Sequence, residues 1–336
     1  MVRDQAKLRR ALSKAGYSAS LLDAALLPDW ARDDSSGEDD HLPLRRALTN
    51  RLGIRDNAIQ GERIDFVWND DALFKTLGKA DPIERLILAS FSAATARLVE
   101  GLVTTPIPDR WPSAQELRTA ILTSRPWVDL SGLLSASWAL GIPVLHLRLF
   151  PLSRKAMHAV AAQGEERTVI MLGRDARYPA PIAFTLAHEL GHVMLGHLGR
   201  HGARIELDDE DAFRDSPLEA EANRFALELL TGSAHPVIEP GRKRFNSRML
   251  AQAVLAAAGP NRIEPGTLAL VTGHQTGQWA QANAALELIY DQPGEVWRSV
   301  NAVAAHQLGR TTQSGELQYL ARLLGRDTLA QSSVQA

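Results

Sequence analysis

Two hydrophobic periods run along this chain, and the changes between them predict its elements. Over residues 5–30, Leu8, Leu12, Leu21, Leu22, Ala25 and Leu26 recur at helical spacing. The polar run Asp33 to Asp40 predicts a solvated loop rather than a carboxylate cluster. A short helix (Leu42 to Leu52), a strand (Ile64 to Trp68) and a helix from Asp81 to about Val103 follow, with Asp81 as cap and Pro82 in the first helical position. Thr104 to Pro112 contains three prolines and marks a boundary. Beyond it, Ser113 caps a helix and a second helix runs from about Leu130 to Leu140. Gly141 then leads into a strand from Val144 to Leu149. Ala156 to Ala161 pairs with Thr168 to Gly173 as a hairpin around the turn Gln163 to Glu166.

Helical spacing then dominates to the end of the chain. His201 to Asp215 reads as an acidic loop. Ser216 to Leu230 reads as a helix with Ser216 as cap, Pro217 first, and Leu218, Ala222, Phe225, Ala226 and Leu229 as its apolar stripe. After Pro240 the pattern predicts helices over Asn246 to Ala258, Pro265 to Tyr290, Glu295 to Leu308 and Ser314 to Leu324. The run Gly277 to Asn283, with Leu286 and Ile289, is expected as a buried stripe. The class is α+β and mainly helical. Its three parts are 1–105, mostly helical; 113–240, which holds the small sheet; and 246–336, helical.

Composition narrows the function classes. Of the 336 residues, 45% are hydrophobic and 23% charged, as in ordinary soluble domains. Cysteine is absent, so disulfides and thiolate metal sites are excluded, and any metal must take His and carboxylate ligands. No apolar run approaches a membrane span, and Met1 to Ala15 is basic and amphipathic rather than signal-like, which predicts a cytoplasmic protein. A net charge of −2 argues against nonspecific nucleic-acid binding, and no helix-turn-helix pattern, nucleotide loop or repeat is present. Arg242 to Arg244 reads as a solvated basic face.

One stretch carries chemistry. His188, Glu189 and His192 form H-E-x-x-H within apolar flanks (Ile182, Phe184, Leu186, Ala187, Val193, Met194, Leu195), so the helix is expected to be buried. Histidines four apart share a helical face and can reach one ion. Glu189, turned by about 100°, can act on water beside it. Gly191 is expected to leave room for a substrate. The third ligand must come from elsewhere. His197, nine positions after His188, falls on the opposite helical face and reads as a helix-terminal histidine. The helix after Ser216 offers Glu219 or Glu221, of which only one can face the ion. With Glu219 as ligand, Asn223 can accept a hydrogen bond from a ligand histidine's other nitrogen.

The chain resembles the ImmA/IrrE family of zinc metallopeptidases through Phe184 to His197 (FTLAHELGHVMLGH), Glu219 to Leu230 (EAEANRFALELL) and the strand-like Arg167 to Leu172. The resemblance covers about Ser113 to Pro240 and implies a minimal, zincin-like core of gluzincin type: a small sheet with two ligand-bearing helices. It implies His188, His192 and Glu219 as ligands of zinc, or of manganese, and Glu189 as general base. Members of the family cut helix-turn-helix repressors and so switch on genes, or accompany mobile elements, defence loci and toxin–antitoxin modules. The expected partner is therefore a DNA-binding repressor or a co-encoded toxin or regulator. The alternative is an antitoxin or sensor that uses the same fold for binding. Where members often carry arginines, just before F-T-L-A-H, this chain has Pro179 to Ala183, so any substrate-holding role of such an arginine is either vacant here or filled by Arg174 or Arg177. Tyr178, His158 and His201 are candidates to stabilise an oxyanion.

Overall fold

In the computed structural model the described residues are 2–26, 42–55, 66, 82–153, 157–198, 203–207, 216–238, 245–309 and 315–326. Four strands, β1 (Val144–His146), β2 (Met157–Gln163), β3 (Thr168–Leu172) and β4 (Ala203–Leu207), form one mixed sheet in the order β1-β3-β2-β4. β1 pairs parallel to β3, and β2 pairs antiparallel to both β3 and β4. Around it lie thirteen described α-helices, so the fold is α+β and mainly helical.

β2 and β3 read as near-continuous apolar runs because both faces of the sheet are covered. Val160, Ala162, Val169 and Met171 face one cluster, and Ala159, Ala161, Ile170 and Leu172 face the other. The first cluster packs against α4 (Pro82–Glu100), through residues such as Ile87, Leu88 and Phe91. It also takes in α1 (Val2–Ala15), α2 (Ala19–Ala25), the end of α12 (Val296–Leu308) and α13 (Gly315–Leu323). The second cluster holds α5 (Ala114–Leu122), α6 (Leu130–Ala139), α7 (Pro179–Met194) and α8 (Pro217–Thr231). Chain from both sides of the proline-rich run thus shares one core with the sheet.

Polar side chains pin this arrangement. The Glu100 carboxylate, at the end of α4, accepts the backbone N–H of Glu165 (2.8 Å), Glu166 (2.5 Å) and Arg167 (3.0 Å), which fixes the β2–β3 turn. Asn301 is fully buried on α12. Its Oδ1 accepts from the His146 N–H, and its Nδ2 donates to the carbonyls of His146 and Leu324 (2.8, 2.8 and 2.9 Å). One amide side chain thereby satisfies the backbone at the outer edge of β1 and ties it to the end of α13.

Several expected elements change at glycines. The N-terminal helix divides at Gly16 (φ 113°). Tyr17 then bridges to Leu152, and Ser18 caps α2, accepting from the Leu21 N–H and donating to Phe150 O. Pro265 to Tyr290 is two helices, α10 (Pro265–Thr276) and α11 (Trp279–Ile289), because Gly277 (φ 70°) ends the first. Within the expected stripe Ala282 and Leu286 are buried, whereas Trp279 is exposed. With α9 (Ser247–Asn261), these two helices share a third apolar cluster with Tyr178 at the start of α7. Leu42–Ala47 (α3) continues into a single π-helical turn, Leu48–Leu52. Ser113 forms the expected cap, reciprocated by Glu116, and the helix from Leu130 is capped by Asp129. Of Ile64 to Trp68 only Phe66 is described, bridged to Ile54. The acidic run Asp33 to Asp40, the cap at Asp81, His201 and the basic run Arg242 to Arg244 lie outside the described residues. Within the expected loop His201 to Asp215, residues 203–207 form β4.

Candidate metal centre

The site is built where α7 crosses α8. α7 begins with Pro179 and Pro181 in its first turn and buries Ile182, Ala183, Leu186, Ala187, Leu190 and Val193 against the sheet and α8. α8 begins at Pro217 after Ser216, which takes the cap position without a side-chain capping bond, and ends at Gly232 (φ 86°). Its buried face is Ala222, Phe225, Ala226, Leu229 and Leu230. Leu218, expected in the stripe, is exposed instead.

Gly191 proves to be a contact between helices rather than a space for substrate. A Cβ at this position would stand 3.1 Å from both Cα and O of Ala222 and 3.2 Å from Phe225 Cβ. The bare backbone lets α8 lie close against α7, which brings Glu219 over the histidines.

His188, His192 and Glu219 each offer a ligand atom, all within 4.8 Å of one another. The two Nε2 atoms are 3.0 Å apart. Glu219 Oε2 is 3.1 Å from His188 Nε2, and its Oε1 is 3.5 Å from His192 Nε2. Ligand atoms around a tetrahedral zinc ion stand about 3.3 Å apart, so the three side chains already have the spacing of such a centre. Both histidines are buried and Glu219 is nearly so. Glu189, only 2% exposed, sits between them in sequence on the same helix.

The hydrogen bonds around the rings fix what the centre can hold. His188 Nδ1 lies 3.0 Å from Asn223 Oδ1, as expected for an acceptor four residues after Glu219. An amide oxygen only accepts, so Nδ1 carries the proton and Nε2 keeps its lone pair. His192 Nδ1 lies 2.9 Å from His197 Nδ1, and His197 Nε2 lies 3.1 Å from Glu221 Oε2. The carboxylate requires a proton on His197 Nε2. In a neutral His197 ring this makes Nδ1 an acceptor, and His192 Nδ1 the donor to it. The second Nε2 therefore also presents a lone pair. Two lone pairs and a carboxylate converge, a donor set that calls for a cation and is suited to zinc.

His197 thus touches His192, contrary to its expected place on the opposite face. The physical reason lies in Gly196 (φ 72°), where the helix has ended. Gly196 N–H bonds to Val193 O (3.2 Å) and His197 N–H to His192 O (2.9 Å), which closes a Schellman motif and folds His197 back over the last turn. A helical wheel does not apply beyond its helix. The signal in the sequence was the glycine itself.

Another residue missed in the sequence is Arg118 on α5. Its Nη1 donates to the carbonyls of Leu229 (3.1 Å) and Leu230 (2.8 Å), and its Nη2 to Arg262 O (2.7 Å). It closes the C-terminal end of α8, and burial first, then the nearby Arg262 charge, pulls its pKa down.

The remaining candidates are scattered. Tyr178 is the cap of α7, stacked on Tyr290 (ring centroids 5.4 Å apart), about 15 Å of helix before His188. The Tyr290 hydroxyl donates to Glu264 (2.6 Å), and burial followed by that carboxylate holds its pKa far above the ordinary tyrosine value. Arg177 points to Glu287 on α11 (3.6 Å), at the same far end of α7. Arg174 follows β3, with its carbonyl against His146 Nε2 (2.9 Å). His158 is on β2, where its carbonyl accepts from Gly173 and Arg174.

An α+β fold in which a buried helix bearing H-E-x-x-H meets a second helix carrying a glutamate defines a candidate metal-binding class of protein. Residues 139–234 match the family Peptidase M78, described as the IrrE N-terminal-like domain, so this segment is similar to ImmA/IrrE-type metallopeptidase domains. No curated protein and no solved structure matches the chain. No described helix is long and apolar enough to cross a membrane.

Proposed function

We propose that the protein is a zinc-dependent endopeptidase that cuts a specific regulatory protein in the cytoplasm. The observation that carries this reading is the convergence of His188 Nε2, His192 Nε2 and the Glu219 carboxylate beside buried Glu189. His188, His192 and Glu219 would hold zinc, which would act as a Lewis acid and lower the pKa of water enough for it to be deprotonated for attack on a peptide carbonyl. Manganese suits the same donor atoms. Glu189 takes the proton from the attacking water and returns it to the departing amine. Asn223 and His197 hold the two ligand rings, so that little reorganisation is needed when substrate arrives.

The resemblance to ImmA/IrrE proteins and the matched segment 139–234 support a helix-turn-helix repressor as substrate, with a gene-expression, stress or mobile-element response as the outcome. A second reading, an antitoxin or sensor that binds its partner without cutting it, is favoured by the length of chain outside that segment. The deciding experiment incubates wild type and Glu189→Gln, each loaded with zinc or manganese, with proteins encoded beside it and reads intact masses. Fragments made by wild type alone support the peptidase. A stable complex without fragments, formed by both, supports the binding role.

A further inference from the structure

The two ligand histidines are held by different chemistry. His188 leans on a neutral amide, Asn223, whereas His192 leans on a second histidine that itself leans on a carboxylate. His197 is shielded, its side chain 5% exposed, while Glu221 reaches solvent and has Arg224 Nη2 3.9 Å from its other oxygen. The rings of His192 and His197 meet edge to face, with centroids 5.1 Å apart.

The geometry points to His197 and Glu221 as positioning residues that set the metal affinity of the site by holding His192 in its metal-binding tautomer, an inference that rests on the metal reading above. The chain runs Glu221 carboxylate, His197 Nε2–H, His197 Nδ1, His192 Nδ1–H, and then the lone pair on His192 Nε2. In this direction every contact along the chain pairs one donor with one acceptor, the Glu221 carboxylate included. Reversing the chain would turn a His197 Nε2 lone pair against the Glu221 carboxylate, put the proton on His192 Nε2 and leave no lone pair there for a metal. The anionic end at Glu221 also polarises the chain toward His192 and makes its Nε2 a stronger donor to a cation. Three separate backbone features build this relay: the Schellman turn at Gly196, the close approach at Gly191, and the two-residue offset of Glu219 and Glu221 on α8. That offset turns one carboxylate to the metal and the other to His197.

The rival account is that His197 and Glu221 merely brace α7 against α8. The test compares full-length wild type, His197→Ala, His197→Gln, Glu221→Ala and Glu221→Gln, stripped of metal. It measures zinc affinity by competition with a chromophoric chelator, the visible spectrum with cobalt, and the melting temperature of the metal-free proteins. His197→Ala is expected to weaken zinc binding about 10- to 100-fold and to alter the cobalt spectrum. Glu221→Ala, at the solvated end, is expected to weaken it about 3- to 10-fold with an unchanged metal-free melting temperature. His197→Gln should recover part of the loss, since its Oε1 can accept from His192 Nδ1–H. Zinc affinities within about twofold of wild type in both alanine variants overturn the inference, as does a loss matched by an equal loss of metal-free stability. If His197→Ala does not fold, the two Glu221 variants decide by the same criteria. A wild type that takes up neither zinc nor cobalt overturns the metal reading and this inference together, whereas a zinc-binding wild type with indifferent variants overturns this inference alone.

Discussion

Gly191 on α7 lies so close to Ala222 on α8 that a single added carbon would stand 3.1 Å from the neighbouring backbone. The atoms it would meet, Ala222 Cα and O, belong to a helix backbone and cannot swing aside. Glu219 sits one turn before Ala222, so the separation of the helices also sets how far the Glu219 carboxylate reaches towards His188 and His192.

Gly191→Ala therefore separates two quantities. Helix propensity favours alanine by about 1 kcal/mol and the overpacked contact costs about 1–3 kcal/mol, so global stability is expected to fall by about 0–2 kcal/mol. Zinc affinity, which feels the displacement of Glu219, is expected to drop by about tenfold or more. Denaturant unfolding of the metal-free protein, run beside a zinc titration, checks both. An unchanged zinc affinity would show that the helix spacing does not set the site.

Metal should stabilise the fold through this centre. At a zinc concentration about 100 times the dissociation constant, the stabilisation is about 2.7 kcal/mol. Glu189→Gln is expected to keep this shift in melting temperature because Glu189 lies outside the His188, His192 and Glu219 group, and His188→Ala is expected to lose it. A shift that survives in His188→Ala would place the metal elsewhere.

Arg118→Ala leaves the carbonyls of Leu229, Leu230 and Arg262 without their charged donor. The expected cost is about 2–3 kcal/mol, read as a lower denaturant midpoint. Arg118→Lys recovers little, because a point ammonium cannot span three carbonyls as the guanidinium fork does. Full stability in the lysine variant would refute the fork's role.

The cap of α5 carries a pH signature. The Arg110 guanidinium, followed by the Ser113 backbone and hydroxyl, holds the Glu116 carboxyl down to about 2, against an ordinary 4.5. A folded value below the unfolded one means the contribution is complete above about 4.5 and disappears as pH falls through about 2. Glu116 and Arg110 are both solvent-facing, so the contribution is small and shrinks with salt. The difference in melting temperature between wild type and Glu116→Ala should be greatest near pH 6 and close towards pH 2. A difference that stays constant with pH would remove the charge from the account.

Residue pattern alone was enough for the local parts. Helical spacing, proline starts and caps such as Ser113 gave most helices between Ser113 and Leu230, and the apolar runs after Pro143 gave the hairpin. H-E-x-x-H placed His188 and His192 on one face of one helix, and the spacing of Glu219 and Asn223 anticipated the bond from His188 Nδ1. These relations lie within one helix, or between short segments whose geometry is set by backbone period alone. The tertiary structure decided what depends on contacts between elements. It chose Glu219 rather than Glu221 to face the histidines, because only the crossing of α7 and α8 settles which side of α8 looks inward. It gave Gly191 its reason, put β4 beside β2, and set the N-terminal helices with α12 and α13 on one side of the sheet. It also brought His197 back onto His192. A left-handed glycine breaks the period on which a helical wheel depends, and the direction of the chain beyond it follows from the hydrogen bonds that close the helix end.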